Sequence, residues 1–371
     1  MPPHHLGIVA YDGCVASGVN GFADVCAVAN HLAGHELFRV HVMSITGLAV
    51  TPFSGPPIGV DGALSPSPPT GTSEHDSPLT PEHVPQHATD APTVPVAQHS
   101  PITPGHNTTP PVTPHTWHAI FIPPAFGLTM VPPPIVAWVR AAHATGALCC
   151  AACAGVFFLA EAGLLDGRPA TTHWGLVDQF KRSYPTVKLT PQRLLVDGGS
   201  YICAGGVTAY FDLALHLVTR LASRELALHC ARVLLLDPGR TEQTPYMELL
   251  TTHPHGDTLI AHAQQWLETH HTRPLQLHEL AAHLHCTERT LHRRFRKATG
   301  LAPVAYLQAL RVEHAKRLLE STTLPASSIA QEVGYQDTPA FFRVFHSLTE
   351  LTPGEYRRRF GPRLADTFTE N

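Results

Sequence analysis

A chain of 371 residues can form two domains with ordinary hydrophobic cores. Its charge is uneven: residues 1–254 carry 11 Lys and Arg against 17 Asp and Glu, whereas residues 255–371 carry 14 against 12, so the second part is the more basic. The opening MPPHHLGIVAYDG lacks a basic, then apolar leader, and the nearly uncharged run from Gly146 to Ala160 is too short to span a bilayer, so a cytoplasmic protein with no membrane partner is expected.

Along the first part, short β-rich runs alternate with helical patterns. Leu6–Ala10, Phe38–Ser44, Ala119–Ile122 and Ala147–Ala152 read as strands, with helices at Gly21–Ala33 and Pro134–Ala144 between them. This alternation predicts a parallel sheet wrapped by helices. It is interrupted by residues 54–115, which hold 15 of the 35 prolines and no Phe, Trp, Tyr, Lys or Arg. Such a stretch buries too little apolar area to offset the entropy of ordering it, so 65–114 reads as a disordered insertion.

The run CCAACAGVFFLAEAGLLDGRPATTHW, residues 149–174, is the richest in chemistry. A β-like run ends at Ala152 and an apolar helix begins at Val156, with Cys153, Ala154 and Gly155 at the turn. Small residues around a nucleophile suit a sharp strand-to-helix elbow, where a helix N-terminus would stabilise a thiolate, and His173 is a candidate partner. A buried structural cysteine with a capping or solvent-facing histidine is the other reading. A third makes Cys150 and Cys153 a redox pair, although residues three apart on one strand point to opposite faces unless the turn begins at Ala151. Eight cysteines without a leader read as reduced thiols; no second ligand pair accompanies this C-x-x-C, and the 27 histidines show no repeated spacing, so neither a metal nor a cofactor is expected.

The segment 208–236 reads as a pair of closing helices, and 237–254, with Pro238, Gly239, Pro245 and Pro254, as a linker. Beyond Asp257 the pattern is helical. Drawn as a helix, residues 287–298 place Phe295 and Ala298 within about 40° of the direction of Leu291, and Arg289, His292, Arg293 and Arg296 on the other side. Leu280, Ala281 and Leu284 supply a preceding short helix, and Thr287 an N-cap, which together make a helix-turn-helix. About 50 residues later the unit recurs: Ile329, Ala330 and Val333 replace the first apolar set, Phe341, Phe345 and Leu348 the second, and Arg343 stands for Arg293, with His346 nearby. Residues 303–320 between the copies read as one helix with Val304, Leu307, Ala315 and Leu318 on a stripe. At about 1.5 Å per residue this spacer suits two recognition helices meeting successive grooves. Arg311 inside the stripe reads as a structural ion pair ahead of a DNA contact, and Arg357, Arg358 and Arg359 either as a phosphate grip or as a solvated basic end.

The run from Leu280 to Phe360, with RTLHRRF, ATGLAP, LLESTTLP, IAQEVGYQD, FFRVF and TPGEYRRRF, strongly resembles the DNA-binding domain of the AraC/XylS regulators. The resemblance implies base-reading faces at Arg289, His292 and Arg293 in the first unit and at Thr338, Phe342 and Arg343 in the second. Residues 149–174, with YICAGGVTAYFD at 201–212, look like the DJ-1/PfpI branch of the class I glutamine-amidotransferase-like fold, over about 6–60 and 116–236. Catalytic members of that fold pair the elbow cysteine with a carboxylate after the first strand, and Gly13 to Ala23 contain none, with Asp12 and Asp24 flanking.

The expected architecture is therefore a flavodoxin-like α/β sensor domain (1–236), a linker (237–254), an all-α domain with two helix-turn-helix units (255–362) and a tail (363–371). The expected function is a transcription regulator binding promoter DNA and, at Cys153, Ala154, Gly155 and His173, a small effector that the resemblance implies is nitrogen-containing. Homodimerisation and contact with RNA polymerase are implied by the resemblance. The competing reading is a cysteine-dependent amidase or glyoxalase tethered to DNA.

Overall fold

The computed structural model describes residues 2–64, 116–250 and 255–362. The expected disordered insertion (65–114), the tail (363–371) and the last four residues of the expected linker lie outside the described residues. The chain begins with β1 (His4–Val9), α1 (Ala16–Ala33), β2 (Phe38–Ser44) and the two-residue β3 (Gly62–Ala63). It continues with β4 (Ala119–Ile122), α2 (Pro133–Ala144), β5 (Leu148–Ala152), α3 (Val156–Glu161), β6 (Pro169–Ala170), α4 (Val177–Ser183), β7 (Lys188–Leu189), β8 (Leu195–Asp197), β9 (Tyr201–Ala204), α5 (Tyr210–Leu221) and α6 (Arg224–Val233).

One sheet has the order β3-β2-β1-β4-β5-β9-β8, parallel except for β8, which runs antiparallel to β9; β6 and β7 form a small parallel pair apart. Its five central strands, counted along the chain, take the 2-1-3-4-5 order of flavodoxin-like folds. The strands β4 (AIFI), β5 (LCCAA) and β9 (YICA) are buried at every position, because helices cover both faces and leave no polar side to alternate with. From one side α1 docks Val19, Phe22, Val25, Cys26 and Ala29, the spacing of one helical face, and Phe22 stacks on Phe121 with ring centroids 4.3 Å apart. Strand order reverses between β1 and β4, so a crevice opens beyond their carboxyl ends, where Cys14 and Ala125 form an isolated bridge.

The C-terminal part is helical: α7 (Thr258–His270), α8 (Leu277–His283), α9 (Glu288–Thr299), α10 (Pro303–Ser321), α11 (Ala326–Glu332), α12 (Thr338–Thr349) and α13 (Pro353–Phe360). The pairs α8/α9 and α11/α12 are the two helix-turn-helix units, and each second helix starts on a side-chain cap, Thr287 accepting from Thr290 N and Asp337 from Ala340 N. Each unit has its own core, and α10 serves both. It places Tyr306, Leu307 and Leu310 in the first core and Val312, Ala315 and Leu319 in the second. At 100° per residue the second set points about 180° away from Leu310, so the apolar side changes halfway along the helix. The single stripe expected for this helix is therefore corrected: Val304 is 54% exposed and Leu318 only partly buried.

The segment expected as a linker is also anchored. Gln243 N donates to Gln192 O and Leu194 N to Thr241 O, while Leu249 and Leu250 pack on the two helical cores. Among the described residues Arg311 makes no ion pair with a carboxylate; its Nε and Nη2 donate to the carbonyls of His271 and Arg273, each at 2.6 Å, and its guanidinium lies over the Tyr335 ring. It ties α10 to the turn after α7.

Candidate effector cavity and nucleic-acid interface

Cys153 follows β5 with φ at 55°, in the left-handed region that a non-glycine side chain enters only at a cost. The turn is tight enough that a Cβ on Gly155 would lie 2.6 Å from Ile122 O and 2.9 Å from Pro123 O, so the β4 backbone excludes any side chain there. Thr172 Oγ1 donates to Cys153 O at 2.8 Å and closes the elbow from the other side. Beside it lies a cavity of about 200 Å³, bordered by Phe126, Leu128, Cys153, Phe157, His173 and Gln179 together with Ala154. Three of the four residues expected there, Cys153, Ala154 and His173, line it. Gly155 does not: it is spent on packing against β4.

The electrostatics depart from the elbow reading. Cys153 is 3% exposed, and burial pushes its thiol up to about 12, outweighing the opposing hydrogen bond of the Ala154 amide. The expected thiolate is thus a neutral thiol at physiological pH: the N-terminus of α3, a helix of six residues, is outweighed by desolvation. His173 is held below its ordinary value by burial, and its Nδ1 accepts from Gly175 N at 3.0 Å. Asp12, one of the flanking carboxylates, accepts from Thr51 N, and neither it nor Asp24 borders the cavity. Among the described residues no group of His, Cys, Asp or Glu is placed to hold a metal ion.

On α9, Arg289, His292, Arg293 and Arg296 are all exposed on the side opposite the buried Leu291 and Phe295, and Lys297 joins them. Arg294 is the exception in this run: its guanidinium bonds Asp257, the N-cap of α7, at 2.6 and 2.9 Å. On α12, Arg343 and His346 are exposed, and Arg343 stands 3.8 Å from Asp337. Thr338 is half-buried at the first position of this helix, and Phe342, expected on the groove-reading side, is half-buried against the second core with its ring edge-on to Phe341. At the closing end, Arg357 donates to Leu324 O and Arg359, though exposed, to the Tyr246 hydroxyl, while Arg358 is exposed beside them.

Two family models match this chain: that of the DJ-1/PfpI family over residues 120–220 and that of a helix-turn-helix domain over residues 280–359. The HTH-type transcriptional regulator CdhR of Pseudomonas aeruginosa is 31% identical over 231 residues, covering 62% of this chain and 68% of that protein. The chain belongs to the AraC-type transcription regulators with a DJ-1/PfpI-like domain. The HTH-type transcriptional regulator GbdR of P. aeruginosa is similar along nearly the whole length, at 25% identity over 362 residues, 96% of this chain and 84% of that one. ArgR of the same organism is 30% identical over 237 residues, 62% and 69% of the two chains.

As an AraC-type regulator the protein binds DNA. Gln336 and Pro339, exposed at the start of α12, stand beside Thr338, and sequence reasoning passed over them because the apolar periodicity begins only at Phe341. Phe126, Leu128, Phe157 and Gln179 were likewise missed as cavity residues. They come from three separate segments, and nothing in their local spacing announces that the topology gathers them. No helix among the described residues is long and apolar enough to cross a membrane.

Proposed function

We propose that this regulator is cytoplasmic and senses a small nitrogen-containing metabolite in the cavity beside Cys153. In this reading it contacts promoter DNA through Arg289, His292, Arg293 and Arg296 on α9 and Thr338, Arg343 and His346 on α12, as a homodimer joined by its sensor halves. Phe342 supports the second helix from beneath and does not read bases. RNA polymerase is a further partner implied by the family.

The observation that carries the reading is the chemistry of the cavity. Its walls combine the aromatic Phe126 and Phe157 with the neutral polar ends of His173 and Gln179. Aromatic faces attract alkylated ammonium groups, and an amide and an imidazole offer hydrogen bonds to the rest of a small solute. Turnover is disfavoured by the same chemistry. A thiol protonated to high pH needs a base, the His173 Nδ1 is engaged with a backbone amide, and no carboxylate borders the cavity among the described residues.

The test is a thermal-shift screen of the full chain against nitrogen metabolites, followed by its binding to DNA with and without each hit. A specific ligand at a hundred times its Kd should add about 2.7 kcal/mol of stability and alter affinity for promoter fragments. Hydrolysis of an acyl-type substrate that disappears in Cys153→Ser would instead establish the enzyme.

A further inference from the structure

We propose that Gln243 is a positioning residue that couples the Cys153 cavity to the DNA-binding helices, acting through the strap that follows it, residues 243–249. The proposal deepens the sensor reading above and rests on it.

Gln243 is polar yet only 2% exposed, and its side-chain amide is fully engaged in the α/β half. Nε2 donates to Thr172 O at 2.8 Å, with longer contacts of 3.3 Å to Thr171 Oγ1 and Arg193 O, while Oε1 accepts from Trp174 N at 3.2 Å. Its bonds therefore fall on both neighbours of His173, so the loop that presents His173 to the cavity is set by an amide contributed from outside the sheet. Thr172 is the residue that also bonds Cys153 O. Room for the amide is provided at Gly205, where any Cβ would stand 2.4 Å from Gln243 Nε2. A buried amide with its donors and acceptor matched cannot shift without leaving several polar groups unpaired.

One short helical turn, Thr244–Tyr246, stiffened by the buried Pro245, leads from this plug to the helical half. There Tyr246 sits edge-on to Phe360 at 5.3 Å, beneath the Arg359 guanidinium, whose Nη2 donates to the tyrosine hydroxyl. Lys316, itself buried on α10, donates to Met247 O at 2.8 Å, and Leu249 N donates to Glu313 Oε1 at 2.8 Å. The strap thus grips α13 and the middle of α10, the helix that spaces the two recognition helices. A solute that moves residues 172–174 must either pull the strap or break the bonds of Gln243. Either event changes what holds α10. The linkage is reciprocal, so releasing the strap from the helical half must loosen the cavity.

That reciprocity permits a test without any effector. The full chain is exposed to pulses of iodoacetamide, and alkylation of Cys153 is followed by mass spectrometry of its peptide in wild type, Gln243→Ala, Tyr246→Ala, Arg359→Ala and, as a control, Arg358→Ala, the exposed neighbour on α13. Coupling predicts that Gln243→Ala, Tyr246→Ala and Arg359→Ala each speed Cys153 alkylation by about fivefold or more, the lower end of ordinary coupling between sites, and that Arg358→Ala does not. If Tyr246→Ala and Arg359→Ala leave the rate at the wild-type value, the proposal is overturned, whatever Gln243→Ala does; should Gln243→Ala fold poorly, the two distant variants decide alone. That result would leave the sensor reading intact, since no metabolite takes part, whereas an unproductive metabolite screen with coupling present would remove the sensor reading alone.

Discussion

Cys153 combines a backbone conformation suited to nucleophiles with surroundings that suppress one. Its positive φ marks the elbow, but burial keeps the sulfur protonated. Since the thiolate is the reacting species, the rate of Cys153 alkylation in the wild type should rise about tenfold per pH unit from pH 7 to pH 10 without levelling. A plateau below pH 8 would show a thiolate at neutrality and reopen the enzyme reading. The elbow itself was legible in CCAACAG, because small residues between a strand and a helix have few other uses. The protonation state was not, since it depends on how deeply the fold buries the sulfur, which is a matter of tertiary packing. The histidines give a second case. Read along the chain they have no spacing, yet the start of β1, the middle of β2 and the approach to β4 bring three together: His5 Nδ1 lies 3.1 Å from His41 Nε2, and His5 N donates to His118 Nδ1 at 3.0 Å. Burial holds all three below the ordinary value of 6.5, with neighbouring cationic groups adding to it. The unfolded chain then binds protons that the fold refuses, so this contribution to stability is complete above about pH 6.5 and is lost as pH falls through the lowered values. The urea midpoint should drop between pH 7.5 and 5.5, and His41→Leu should flatten that drop. An equal drop in both proteins would mean that other groups carry it.

Among the elements, α10 shows where periodicity succeeds and where it misleads. Its start was readable from Pro303 and its end, placed at Glu320, to within one residue of the observed Ser321. Its single-stripe assignment failed because two cores draw on opposite sides of one helix, and a periodicity argument presumes one core per helix. The recognition helices behaved more simply, as each packs one face and leaves the other to solvent. They differ in charge: α9 exposes Arg289, Arg293, Arg296 and Lys297, whereas α12 exposes Arg343 with an acidic neighbour at 3.8 Å. Affinity for a polyanion should therefore reside mainly in the first unit. At fixed salt Arg293→Ala should weaken promoter binding more than Arg343→Ala, by about 1–3 kcal/mol if a base edge is read, or with a salt slope shallower by about 0.9 if a phosphate is held. Equal losses from the two substitutions would refute this ordering.

At the scale of the molecule, the cores are separate but the chain between them is not a free tether. Proline and glycine in 237–254 suggested a linker because composition reports local breaks in secondary structure; it cannot report that a glutamine three residues from a tyrosine is buried on one side while the tyrosine packs on the other. The helical half consequently extends upstream of α7. Cutting at residue 255 removes Leu249 and Leu250 from its cores and leaves the buried Lys316 ammonium with Glu313 but without the Met247 carbonyl. Loss of one hydrogen bond to a buried charge costs about 1–3 kcal/mol, and the two leucines add to it. A fragment of residues 240–362 should therefore unfold at a higher urea concentration than one of residues 255–362, and Lys316→Met should narrow the gap by removing the charge that the strap satisfies. Coincident midpoints for the two fragments would show that the strap belongs energetically to the α/β half alone, with its bonds to α10 a consequence of the helices' position and not a cause of it.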